Sequence, residues 1–101
     1  MAVRKVIVRV KAQDVILRAN ITTTADGTIR LSGNEPNEKE AEVTTNSAGI
    51  LAFAFGIQTQ SPDSTWTLTL TECGAVRPRY QHTAVTSAAA IASDQGNVYF
   101  E

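Results

Sequence analysis

Reactive and metal-binding side chains are scarce in this 101-residue sequence, which contains one cysteine, Cys73, and one histidine, His82. A single cysteine can form neither an internal disulfide nor a CxxC knuckle, and a zinc site would lack ligands. Phosphate-binding loops and the glycine pattern of dinucleotide-binding folds are also missing. We therefore expect no metal site and no cofactor.

Two groups of residues could still be interpreted as catalytic. Cys73 and His82 would form a nucleophile and base if neighbouring strands brought them together. Glu38, Glu40 and Glu42 could supply paired carboxylates, but they alternate along one strand face without an apolar pocket to raise a pKa. The same residues are also explained by a buried structural thiol at a strand end, a surface or interface histidine and a solvated edge strand. We expect a protein that is not an enzyme.

Long apolar runs are absent as well. No window approaches the roughly 18 to 20 apolar residues that a membrane span requires. The first residues, 1–5, lead directly into alternating valine and arginine, a pattern that is not typical of a signal peptide. These features predict a chain without a membrane span, located in the cytoplasm or in a virion.

β-branched residues dominate what is present. Valine, isoleucine and threonine occur 9, 7 and 13 times against 5 leucines, which favours pleated sheet over helix. Apolar residues also alternate with polar ones, the period of a half-buried strand. The residues predicted to share the inward face of the first three strands are Val6, Val8 and Val10, then Val15, Leu17, Ala19 and Ile21, then Ile29 and Leu31.

The turn between the second and third strands is predicted to be a three-residue loop, 25–27, with Gly27 in the left-handed region. This register places Ile21 opposite Leu31 on the core face. A two-residue loop would place Ile21 opposite the outward Ser32, which mixes the two faces of the sheet.

Further strands and breaks follow along the chain. Trp66 begins the clearest alternation of the sequence and is the expected core anchor, whereas Pro78 restricts residues 76–80 to an edge or a loop. Strands are predicted at residues 38–43 as an edge, at 50–57 as a central strand with two apolar faces, and at 65–71. Residues 86–93 are alanine-rich and fit either a helical turn or a strand, of which we favour the strand. The fold class is therefore all-β, an antiparallel, immunoglobulin-like β-sandwich of about seven to eight short strands.

We expect one sandwich domain over residues 1–93, followed by a C-terminal tail at 94–101. The tail ends in the apolar residues Val98, Tyr99 and Phe100, which are the candidate assembly residues. Residues 93–96 are polar and contain a glycine, so they could act as a hinge. Either the tail is a strand exchanged with a neighbouring subunit, or it is a disordered segment or a remnant of cloning.

Charge is distributed unevenly despite a net charge of −1. The predicted outward faces place four cations on one side of the first three strands, and they are the candidates for binding an anionic ligand: Lys5, Arg9, Arg18 and Arg30. A solvated face, or cross-strand ion pairs with the Glu38–Glu42 segment, is the other interpretation. Sheets that bind nucleic acid interleave aromatic residues, and the first 52 residues contain none. Nucleic acid is therefore not an expected partner.

Two stretches, Val43–Phe53 and Ser64–Leu70, resemble the closing strands of bacterial immunoglobulin-like modules. They contain a threonine-rich strand, the turn Asn-Ser-Ala-Gly, an apolar strand and then Trp66 at the start of an alternating threonine strand. The resemblance covers about a third of the chain, and about thirty residues follow where such modules usually end. It implies a structural or adhesive building block of cell surfaces or virions, and it transfers no functional residues.

Two functional hypotheses result. The first is a non-enzymatic structural or assembly module that acts through protein association, as a homo-oligomer and as a virion, surface-appendage or complex subunit. The alternative is a module that binds a glycan or another polyanion through its basic face.

Overall fold

Eight antiparallel strands build two four-stranded sheets in the computed structural model, which describes residues 2–100. The described residues contain no helix, so the predicted all-β sandwich is confirmed. The strands are β1 (Lys5–Ala12), β2 (Ile16–Thr23), β3 (Gly27–Arg30), β4 (Glu38–Thr44), β5 (Ile50–Thr59), β6 (Thr65–Glu72), β7 (Tyr80–Val85) and β8 (Ile91–Tyr99).

The first sheet has the order β4-β1-β6-β7, and the second sheet has the order β3-β2-β5-β8. One side of the sandwich is closed, because Ser32 and Glu40 exchange two backbone hydrogen bonds of 3.0 and 2.8 Å next to β3 and β4. Asp26 closes the same side, since its Oδ2 accepts hydrogen bonds from the backbone and hydroxyl of Thr44. The opposite side, formed by the edge strands β7 and β8, is called the open side.

Trp66 is the largest fully buried side chain, with 1% of its surface exposed, which confirms its role as core anchor. Its ring lies 5.6 Å from the ring of Phe55 on the opposite sheet and 5.6 Å from the ring of His82. Alternating valines and leucines of β1 and β6 fill the rest of the first sheet's inner face. Burial of these side chains is the main favourable contribution to folding.

The predicted inward face of β2 is wrong at its start. Leu17 is 50% exposed, whereas Ile16 is buried beside Ala19 and Ile21. The pairing of β2 with β5 contains a register shift between Ile16 and Arg18. A bulge of this kind changes the phase of alternation, so the period of two does not extend through it.

The predicted hairpin is half right. Gly27 has a φ of 69°, which confirms the left-handed glycine. The register is wrong, because Ile21 lies opposite Ile29 rather than Leu31. Side chains set the turn, since Thr23 Oγ1 accepts the Asp26 backbone N–H at 3.0 Å. A shift of two residues leaves every side chain on its predicted face, so patterning alone could not distinguish the registers.

The division of the chain at residue 93 does not match the structure, because β8 runs continuously from Ile91 to Tyr99. It pairs with β5 along its full length within the same chain. Residues 86–90, predicted as part of a strand, form the turn before it.

Gly96 lies opposite Phe53, whose ring would be 3.6 Å from a Cβ at that position. The aromatic ring covers the glycine, and tertiary packing thereby orders a segment whose sequence is typical of a hinge.

Candidate functional site

The four cations predicted to share one face do not do so. Lys5 and Arg9 lie on β1 in the first sheet, whereas Arg18 and Arg30 lie on β2 and β3 in the second. The connection from β1 to β2 crosses between the sheets, so the outward faces of these strands lie on opposite sides of the sandwich. Sequence alternation assigns a residue to the inner or outer face but does not say which sheet it joins.

Arg9 is neutralised by the edge strand next to it. Its guanidinium lies 3.1 Å from Glu40 and 3.6 Å from Glu38, and Glu40 is its direct cross-strand partner. The alternative interpretation of cross-strand ion pairs is therefore confirmed for Arg9. Exposed pairs of this kind contribute only a few tenths of a kcal/mol each.

The outer face of the first sheet carries an open groove of about 690 Å³. Threonines of β6 line it together with the loop that follows, including Cys73 and Val76. The expectation of a buried Cys73 thiol is wrong, because the residue follows the end of β6 and is exposed. The thiol lies 3.8 Å from a Glu42 oxygen, and partial desolvation together with that carboxylate raises its pKa. His82 instead contacts Trp66. The conceivable Cys73 and His82 pair is therefore not assembled, and the thiolate that a nucleophile needs is disfavoured.

Two further observations concern residues 2–100. No group of three or more histidine, cysteine, aspartate or glutamate side chains that could hold a metal ion occurs among them. The same part of the chain contains no helix that is long and apolar enough to cross a membrane.

Strand β8 has β5 on one side and no second strand on the other within the described residues. Backbone groups of Ala90 and Phe100 bond toward β5 and the turn before it. The backbone N–H and C=O groups of successive residues point to alternate sides of a strand within the plane of the sheet. Those of the odd-numbered residues 91–99 therefore point away from β5, toward the edge that has no neighbouring strand. The Ile91 carbonyl, which accepts the Ser87 N–H, agrees with this direction.

The other three edges of the sandwich are short or protected. Strand β3 has four residues and β7 has six. Strand β4 carries three glutamates and Lys39, and Ser32 already pairs with its Glu40. Strand β8 has nine residues, no lysine, arginine or proline, and a regular register with β5. Long and regular edges without such protection are the ones that pair with another strand.

Of the three candidate assembly residues, two point into the core and one is exposed, because side chains alternate between the two faces of the sheet. Val98 is 7% exposed and Phe100 is 0% exposed, so both belong to the chain's own core and are wrong as interface residues. Tyr99 is 47% exposed and Ile91 is 52% exposed, on the outer face at opposite ends of the strand. Sequence analysis missed Ile91 and the central Gln95. The period of two from Ile91 to Tyr99 was the available signal, but Asp94 and Gly96 obscured it.

Asp94 connects β8 to the other edge strand of the open side. The Tyr80 hydroxyl donates to Asp94 Oδ2 at 2.5 Å, and Asp94 Oδ1 accepts the backbone N–H of Gln95 at 2.9 Å. Desolvation, the hydrogen bond to Asp94 and its negative charge together raise the pKa of Tyr80 to about 12. The phenol therefore stays protonated and remains a donor at neutral pH.

Comparisons with known proteins add no relative: no family model matches the chain, and neither a curated protein nor a solved structure matches it.

Proposed function

We propose that this chain is a non-enzymatic assembly module that associates with a second copy of itself through the outer edge of β8. The observation that carries the proposal is the length and regularity of this edge, which contrasts with the short edges of β3 and β7 and the charged edge of β4. Antiparallel addition of β8 to its own copy would join two four-stranded sheets into one eight-stranded sheet around a two-fold axis.

One register of the pairing places every residue of β8 opposite a residue of the second copy. With the two-fold axis at Gln95, the middle residue of β8, Ile91 lies opposite Tyr99 and Ser93 lies opposite Asn97. The two exposed apolar residues of the strand then cover each other. In this register, the outward peptide groups of Ser93, Gln95 and Asn97 form the central hydrogen-bonded pairs. At the two ends, the Ile91 carbonyl already accepts the Ser87 N–H and the Tyr99 carbonyl already accepts Arg79 Nη1, so these pairs add less.

Charge also favours this register. Asp94 lies opposite Gly96 of the other copy, which has no side chain to clash with the carboxylate. A shift of two residues in one direction would place Asp94 opposite itself, and like charges directly opposite each other are destabilising. A shift in the other direction would leave Ile91 without a partner on the strand.

The Gln95 N–H has a partner in the monomer, because Asp94 Oδ1 accepts it at 2.9 Å. Association exchanges this contact for the Gln95 carbonyl of the second copy. The net gain at the centre of the interface is therefore small, and the flanking pairs contribute most of the association energy. We expect an association that depends on protein concentration rather than an obligate dimer.

Solution mass by light scattering over a range of concentrations tests the proposal. The wild-type chain should shift from 10.8 kDa toward twice that mass as its concentration rises. Gln95→Lys should remain monomeric, because two ammonium groups would meet at the two-fold axis.

Gln58→Lys is the matched control. Gln58 is an exposed residue of the same sheet, but it lies on the interior strand β5. This variant should associate like the wild type. A wild-type chain that stays at 10.8 kDa at every concentration, or a Gln58→Lys variant as impaired as Gln95→Lys, would refute the pairing of β8.

A further inference from the structure

A cleft of about 210 Å³ lies where β2, β3 and the start of β4 meet, and three cationic side chains line it: Arg18, Arg30 and Lys39. No aspartate or glutamate is among its lining residues. The cleft is on the second sheet and on the closed side of the sandwich, away from the outer edge of β8. An anion is the ligand that such a set of donors attracts.

Strand register brings the three cations together. Arg30 lies directly opposite Asn20, and Arg18 is two residues from Asn20 on the same outward face, so the two arginines are diagonal neighbours. Lys39 reaches the cleft from β4, where its ammonium donates to the Gly33 carbonyl at 2.9 Å. This hydrogen bond holds one cation in place before any ligand arrives.

These arginines differ from those of the first sheet. Arg4 is bonded to Glu72 at 2.8 Å, and Arg9 lies near Glu38 and Glu40. Among the described residues, no carboxylate lies within ion-pair distance of the two arginines that line the cleft. Like charges at close range repel each other, and a bound anion would relieve that repulsion.

A second depression, of about 270 Å³, also has Arg18 in its lining and so lies beside the cleft. Gly56 forms part of its floor, and open space lies above that glycine. The side-chain amides of Asn20 and Gln58 and the aliphatic side chain of Ile91 surround the depression. Amides bond to hydroxyl groups as donors and as acceptors, so this surface suits a polyhydroxylated ligand.

We propose that the cleft binds a sulfate or phosphate ester group of a saccharide, whose ring lies in the adjoining depression over Gly56. Arginine guanidinium groups bind such oxyanions through paired hydrogen bonds, and Lys39 adds a point charge. The amides of Asn20 and Gln58 contact the sugar hydroxyls. The three cations of the cleft lie away from β8, whereas the depression borders on Ile91, which the proposed pairing of β8 would place beside Tyr99 of the second copy.

Three probes distinguish the sources of the anion: a sulfated heparin-derived tetrasaccharide, its desulfated counterpart and mannose 6-phosphate. Titration of the 15N-labelled full chain should move the amide signals of Gly33 and Gly56 with the sulfated tetrasaccharide, with the phosphorylated sugar, or with both. The desulfated sugar should bind at least about tenfold more weakly, the factor that loss of a charge-assisted hydrogen bond produces.

Arg18→Gln and Arg30→Gln should each weaken binding of the charged probe about tenfold or more. Arg9→Gln is the matched control, because it removes the same charge from the opposite face and should leave the affinity unchanged. The wild-type affinity should also fall as salt is added. Equal losses for Arg9→Gln and Arg18→Gln, binding that does not move the Gly33 and Gly56 signals, or no binding of either charged probe would overturn the proposal.

Discussion

The hydroxyl of Tyr80 donates to Asp94 Oδ2 at 2.5 Å, and this hydrogen bond joins the two edge strands of the open side. Tyr80 also packs against Phe53, with ring centroids 5.5 Å apart in an edge arrangement. The Tyr80 side chain of β7 therefore contacts both an aromatic ring on the inner face of β5 and the carboxylate in the middle of β8. No backbone ladder joins β7 to β8, so side-chain contacts hold the open side together: the hydrogen bond from Tyr80 to Asp94 and the one that Arg79 donates to the Tyr99 carbonyl at 3.2 Å.

The first prediction concerns the ionisation of Tyr80. Its pKa of about 12 exceeds the usual value near 10, so the folded state binds the phenolic proton more tightly than the unfolded state. This contribution to stability is complete below about pH 10 and is lost as the pH rises from about 10 to about 12. The chain has two tyrosines, so Tyr99→Phe leaves Tyr80 as the sole signal. Its phenolate absorbance should have a midpoint near 12, and a midpoint near 10 would show that the Asp94 contact does not form.

Removal of the hydroxyl should destabilise the fold. Tyr80→Phe keeps the ring against Phe53 but leaves Asp94 without this donor, which should lower the free energy of unfolding by about 1 kcal/mol. Urea denaturation measures the change. The alkaline loss of stability between about pH 10 and 12 should also be smaller in this variant. A variant as stable as the wild type at pH 7 would mean that the hydrogen bond makes no net contribution.

Truncation of the core anchor should have the largest effect. Trp66→Ala should lower the free energy of unfolding by about 3 to 5 kcal/mol, because Phe55 and His82 cannot fill the cavity. Trp66→Phe should cost less, since a ring is retained and the indole N–H, which has no hydrogen-bond partner among the described residues, is removed. A loss below about 1 kcal/mol for the alanine variant would contradict the burial of Trp66.

Substitution of two glycines by alanine allows the destabilisation caused by backbone strain to be measured separately from that caused by steric crowding. A Cβ at Gly27 or at Gly56 would meet nothing within 4 Å, but only Gly27 has a positive φ, of 69°. Gly27→Ala should therefore destabilise by about 1 kcal/mol through strain alone. Gly56→Ala should be neutral or slightly stabilising, because alanine restricts the unfolded chain. Equal effects in thermal denaturation would contradict the left-handed assignment of Gly27.

Residue periodicity was sufficient to predict the fold class, the core anchor and the edge position of residues 38–43. It could not predict which sheet each strand joins. Lys5 and Arg18 therefore share an outward assignment but lie on opposite faces of the molecule. That partition depends on long-range pairing, such as β1 with β6, which has no local signal.

The two proposed sites could not be predicted from the sequence for the same reason, because they also depend on which strands pair. Lys39 meets Arg18 and Arg30 only because the chain crosses from β3 to β4 at the closed side. Asp94 and Gly96 belong to a strand because Tyr80 donates a hydrogen bond to Asp94 and the Phe53 ring lies over Gly96. Their sequence alone favours a turn, and the contacts that override this preference come from other strands.

Disulfide trapping at position 95 tests the pairing of β8 most directly. In a Cys73→Ser background, Gln95→Cys places each thiol opposite its own copy, at a Cα separation of about 5.5 Å, which lies within the span of a disulfide. Ser93→Cys is the control, because its own copy would be about 14 Å away along the strand. Under mild oxidation, Gln95→Cys should form a covalent dimer rapidly and Ser93→Cys should form little. Equal trapping at both positions, or none at position 95, would contradict the pairing of β8.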